Sequence, residues 1–125
     1  MDLSFDRPGD YQYVRRVDER RITVNENAYE RSFLLAPDRV EENWPVTDAK
    51  QLVAADIEPI LAMQPELVLL GTGTRQVFPP AAFMAGLLQR GVGIEVMDNA
   101  AAARTYDLLA GEGRRVVVAF ILPPP

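Results

Sequence analysis

The chain has 125 residues, 48% of them hydrophobic, and its eighteen acidic and thirteen basic side chains leave a net charge of −5. That length suits one globular domain, 1–125, burying roughly two-thirds of its unfolded surface, and the acidic balance excludes the electrostatic footprint of a nucleic-acid binder. Cysteine and histidine are both absent, which removes disulfides, zinc held by sulfur or imidazole, thiol nucleophiles and the commonest general base. Any catalysis has to rest on Asp, Glu, Tyr, Ser, Thr, Arg or the single Lys50.

The opening stretch MDLSFDRPGDYQY has no basic region followed by an apolar one, and no run in the chain approaches the roughly 20 apolar residues that span a bilayer. A cytoplasmic protein without membrane insertion is expected. Tyr11, Tyr13, Ile22, Val24, Phe33 and Leu35 then recur at period two between polar neighbours, the pattern of an antiparallel meander. Its turns fall near Asp18-Glu19 and Asn25-Glu26-Asn27, and Pro37 closes the last strand.

From Asp38 to Pro45 the chain is polar apart from Val40 and Trp44, which reads as a loop carrying one aromatic plug over the core edge. Asp48 is placed to cap a short helix, with Gln51 at the capping-box spacing, and Asp56 to cap a second turn. Ile57, Ile60 and Leu61 share one helical face, and Pro65 ends it.

Beyond Pro65 come three apolar runs, LVLL, GIEVM and RVVVAFIL, separated by two helical segments, the alternation of βαβαβ. The first helix starts with Pro80, aligns Phe83, Met84, Leu87 and Leu88, and stops at Gly91. The second is capped by Asp98 or Asn99, turns Ala102, Tyr106 and Leu109 inward, and ends at Gly111 or Gly113. The run 116–122 has no polar face, so it is expected to be central and covered on both sides. The tail Pro123-Pro124-Pro125 reads as a solvated end.

The stretch LLGTGTRQVFPP raises the question of a phosphate loop, because an apolar strand runs into Gly71-Thr72-Gly73-Thr74-Arg75. A dinucleotide fingerprint fails on two counts: its third glycine position is Gln76, and the helix begins near Pro80 rather than directly on the loop. No Gly-Lys-Ser/Thr follows, which excludes a Walker A loop. A milder reading stands: Gly71, Thr72, Gly73, Thr74 and Arg75 emerge beside Asp98 at the carboxyl ends of parallel strands, forming a rim for an anion or polar small molecule. The plain alternative is a turn whose glycines supply positive φ, with Arg75 solvated and Asp98 a helix cap.

The run from Pro65 to Leu122 resembles the Mth938-domain family (DUF498), through Leu70-Gly71-Thr72-Gly73, Glu95-Val96-Met97, Ala103-Arg104-Thr105-Tyr106 and Glu112-Gly113-Arg114. Asn99 stands where the family commonly has Thr, and Asp107 where it commonly has Asn. The resemblance implies a single-domain three-layer α/β fold, an N-terminal antiparallel meander followed by βαβαβ around a mixed central sheet. Family members include small bacterial proteins and a mitochondrial assembly factor for respiratory complex I, which implies a protein partner. It carries no catalytic residue, metal or cofactor to this chain.

Two functions from different classes follow. One is a non-enzymatic protein-interaction or assembly module, needing an exposed apolar surface. The other is a small-molecule or anion binder, or an enzyme, at the Gly71–Arg75 rim, with Arg75 as anion clamp, Asp98 as acid or base and Tyr106 as proton donor.

Overall fold

The structure, a computed structural model, describes residues 11–125. Three short strands, β1 (Val14–Val17), β2 (Ile22–Val24) and β3 (Asn27–Tyr29), pair antiparallel in the order β1-β2-β3. The β2–β3 turn rests on Asn25, which adopts a φ of 51°, a conformation Asn tolerates better than most residues. Its side chain accepts from the Tyr13 amide at 3.0 Å and donates to Gln12 Oε1 at 3.1 Å, fixing the strand that precedes the hairpin.

Phe33 and Leu35 do not continue that meander. Their strand, β4 (Phe33–Ala36), enters a second sheet of order β5-β4-β8-β6-β7, with β5 (Arg39–Glu41), β6 (Leu67–Gly71), β7 (Gly93–Met97) and β8 (Val116–Phe120). All four residues of β4 are buried, so it needs cover on both faces, which the small N-terminal sheet cannot supply. Nor is 38–45 a loop throughout: Arg39–Glu41 pairs antiparallel with β4. With only Val40 apolar, β5 carries too little alternation to register as a strand, and its charges suit a sheet edge.

β8 is the central strand expected, antiparallel to β4 and parallel to β6, with every residue buried. Alternation divides the sheet cleanly. Leu34, Val68, Leu70, Val117 and Ala119 face one hydrophobic cluster, and Phe33, Leu35, Leu69, Val118 and Phe120 face the other.

The first cluster is roofed by two single-turn 3-10 helices, Ala49–Gln51 and Ala54–Asp56, with α1 (Ile57–Leu61) and α2 (Ala81–Leu88). Asp48 caps the first turn, accepting from the Lys50 amide at 2.9 Å. Asp56 instead reaches back to the Val53 amide at 2.8 Å and does not cap α1. Trp44 is a buried plug here, its Nε1 donating to the Asp56 carbonyl at 3.3 Å. Pro80 lies just before α2 rather than inside it, and Leu88, the last residue of that helix, points to solvent. The second cluster is roofed by α3 (Asn99–Gly111) together with the N-terminal sheet. Among the described residues, no helix is long and apolar enough to cross a membrane.

Two neighbouring residues of α3 fasten the N-terminal sheet. Tyr106 Oη donates to the Gln12 carbonyl at 2.5 Å, and Asp107 Oδ1 accepts from the Val14 amide at 3.0 Å. Burial pushes the Tyr106 hydroxyl well above the usual phenol range, with the Asp107 charge adding to it. Tyr106 therefore serves as a neutral donor inside the core, not as a proton source at the glycine loop. Burial also lifts the Asp107 carboxyl from 3.8 to about 7, against the opposing pull of the Val14 amide.

The sign of the linkage follows directly. Between pH 4 and 7 the folded chain holds a proton on Asp107 that the unfolded chain has released, so stability falls as pH rises across that window. Asp107→Asn keeps an acceptor for Val14 and removes the titration. Urea unfolding at pH 5 and pH 8 is expected to show a smaller loss at the higher pH for the variant than for the parent.

Candidate functional site

The glycine loop is held by its own residues. Thr72 is buried; its amide donates to the Met97 carbonyl at 3.0 Å, extending the β6–β7 pairing by one rung. Its hydroxyl accepts from the Val77 amide at 3.0 Å and donates to the Arg75 carbonyl at 2.7 Å. The chain therefore folds back on itself within six residues, and Gly73, at a φ of 103°, makes the bend. Gln76, at the position where a dinucleotide loop needs glycine, sends Nε2 to the Val96 carbonyl at 2.8 Å. That contact covers part of edge strand β7.

Asp98 and Asn99 complete the corner. Asp98 Oδ1 caps α3 by accepting from the Ala101 amide at 2.8 Å, and the Asn99 amide donates to the Gly73 carbonyl at 2.8 Å. Two of the amides that an anion would use at a helix N-terminus are thus already engaged within the protein. The Asn99 side chain, 3% exposed, donates through Nδ2 to the Ile121 carbonyl at 3.0 Å, and the Ile121 amide donates to the Gly71 carbonyl at 2.9 Å. β6, β8 and α3 meet on this one residue.

The residues singled out from the sequence end up on adjoining surfaces. One hollow of about 210 Å³ is lined by Thr72, Gly73, Thr74 and Arg75 with Glu19 and Thr47 among its other walls. A second, of about 230 Å³, is lined by Gly73, Thr74 and Asp98 with Asp18 and Glu19. Gly73 and Thr74 belong to both, Arg75 only to the first and Asp98 only to the second. Gly71 lies beneath the rim, in contact with neither hollow, and Tyr106 is buried in the second hydrophobic cluster. Asp18, Glu19 and Asp98 give the second hollow three carboxylates, which oppose an anion there and favour a cationic or neutral polar group. Among the described residues, no three Asp, Glu, His or Cys side chains, these carboxylates included, are placed to hold a metal ion together.

Residues 14–121 match the model of a family described as a protein of unknown function, DUF498/DUF598. The chain is 30% identical over 97 residues to the 13 kDa major membrane protein of Francisella tularensis, covering 77% of this chain and 79% of that one. It is 29% identical over 115 residues to human NADH dehydrogenase (ubiquinone) 1 alpha subcomplex assembly factor 3, covering 90% of this chain and 61% of that protein; it spans about three-fifths of the relative's length. Among solved structures, a Xanthomonas campestris protein superimposes with a TM-score of 0.82 at 47% identity, covering 98% of this chain and 92% of that one. A Bordetella pertussis protein with a Mth938-like domain gives 0.78 at 32% identity, covering 97% and 92%.

Sequence reasoning offered Asn99 only as an alternative cap for α3, and missed its role as the pin of the corner. The usable signal was Gly71, which needs no positive φ. A Cβ placed there would fall within contact distance of Asn99 Oδ1 and 3.1 Å from Phe120 Cδ1. The glycine marks close packing. Gly71→Ala is expected to destabilise by roughly 1–3 kcal/mol, as overpacking does, and Asn99→Ala in the same chain to cost less than the sum of the two single changes. A urea-unfolding double-mutant cycle checks this.

Proposed function

We propose that this chain, which belongs to the DUF498/DUF598 family of proteins of unknown function, is a non-enzymatic protein-interaction or assembly module. The observation that carries the reading is Phe78. It is 62% exposed, yet it follows a loop fixed by the Thr72 and Gln76 hydrogen bonds and precedes Pro79, which is buried. An aromatic side chain on a stiff loop loses little freedom on docking, and such anchors dominate protein–protein binding energy. Val53 and Leu88, 57% and 58% exposed, are further apolar side chains left uncovered on the α1–α2 layer. The human relative, an assembly factor by name, supports a protein partner.

A second reading is favoured by the two hollows: a small-molecule or anion binder using the Gly71–Arg75 loop and Asp98. An anion would have to lie on the Arg75 side, where Glu19 is the carboxylate wall. On this reading Arg75→Ala weakens ligand binding while leaving partner capture intact.

Phe78→Ser discriminates between the two. With its main chain unchanged, the variant is expected to keep the parent's circular dichroism and melting temperature but to lose, at least tenfold, the proteins that the tagged parent captures after cross-linking in its source cells. Equal capture by parent and variant overturns the interaction reading at this surface.

A further inference from the structure

The largest cavity among those described adjoins the hollow at Arg75 and lies between the 43–47 segment and the chain that follows β8. It holds about 440 Å³ and is walled chiefly by Trp44, Pro45, Val46, Leu122 and Pro123, with Arg31 also on its lining. Its frame is fixed from inside. Ser32 Oγ donates to the Val46 carbonyl and accepts from the Leu122 amide at 2.8 Å, joining the two walls through one buried hydroxyl. The Val46 amide donates to the Trp44 carbonyl at 2.8 Å, which sets the bend of the segment. A preformed, mainly apolar cleft of this size is the usual form of a small-molecule site.

Arg31 gives the cleft its chemical direction. Among the described residues it forms no ion pair and no hydrogen bond, whereas the neighbouring Glu30 is held by Arg21 at 3.1 Å. Arg31 also lines an adjoining hollow of about 220 Å³ beside Glu42. One unpaired guanidinium at an apolar cleft matches one carboxylate on an apolar body, because the planar fork binds a carboxylate bidentately. Glu42 nearby sets a limit, since it repels a dianion more strongly than a monoanion.

We propose that this cleft binds an amphipathic monocarboxylate, its hydrocarbon or aryl body against Pro45, Pro123 and the uncovered edges of Trp44 and Val46 and its carboxylate on Arg31. The site is separate from Phe78 and shares only Thr47, Leu122 and Pro123 with the hollow at Arg75.

Trp44 is the only tryptophan in the chain, so its emission reports on this cleft. The full chain is titrated with decanoate and, as a neutral control, with 1-decanol, both below their aggregation thresholds. Decanoate is expected to give a saturable change in Trp44 emission and to bind about tenfold tighter than the alcohol. Arg31→Gln, at an exposed position, abolishes that preference, and Thr47→Phe, which fills the cleft wall, weakens both ligands. Phe78→Ser leaves both unchanged, which separates this site from the protein-interaction surface. Absence of saturable binding by fluorescence and calorimetry overturns the proposal; so does equal affinity for acid and alcohol, or a preference that survives Arg31→Gln.

Discussion

The corner at Asn99 is the constraint on which the rest of the molecule depends. Its amide holds the bend at Gly73 and its side chain holds the chain leaving β8, while the Ile121 amide returns to Gly71. β6, β8 and α3 therefore cannot shift relative to one another without leaving buried polar groups unpaired, at a cost of about 1–3 kcal/mol for each group. Gly71 is required by the same geometry, because the space a side chain would take belongs to Asn99 and Phe120. A loop that reads at first as a phosphate cradle is held as a joint by its own hydrogen bonds.

The joint explains how the layers are shared out. β8 is apolar on both faces, so it has to be central, and the alternation of β4, β6 and β8 sends side chains to two separate cores. One core closes under α1, α2 and Trp44, the other under α3. The N-terminal sheet completes the second roof and is tied there by Tyr106 and Asp107, which links its attachment to pH. Phe78 and the Trp44 cleft then lie on parts of the surface that this frame holds in place.

Much of this was legible in the residues. The runs at 67–71, 93–97 and 116–120 are strongly apolar and bounded by glycine, proline or charge, so the βαβαβ half could be read directly, as could the plug role of Trp44. β5 was not, because Arg39–Glu41 offers one apolar residue between two charges. The allegiance of β4 was not either: period-two alternation says that a segment is a strand but not which sheet receives it. At the site, the local chemistry of Asp98 was readable as a helix cap, whereas the bond from Gln76 to the Val96 carbonyl was not. The pin at Asn99 and the exposure of Phe78 depend on neighbours about 20 or more residues away in the chain or on a loop's final path, and no local pattern encodes them.

If the glycine loop is a structural joint, its amides should behave as core amides. Hydrogen exchange of the Val77, Asn99 and Ile121 amides, followed by NMR, tests this most directly. The account predicts that all three exchange only through global unfolding, at the free energy measured for the amides of β8. Exchange at these three positions close to the unfolded-chain rate, while β8 remains protected, would contradict it, because a loop with free amides is one arranged to receive a ligand.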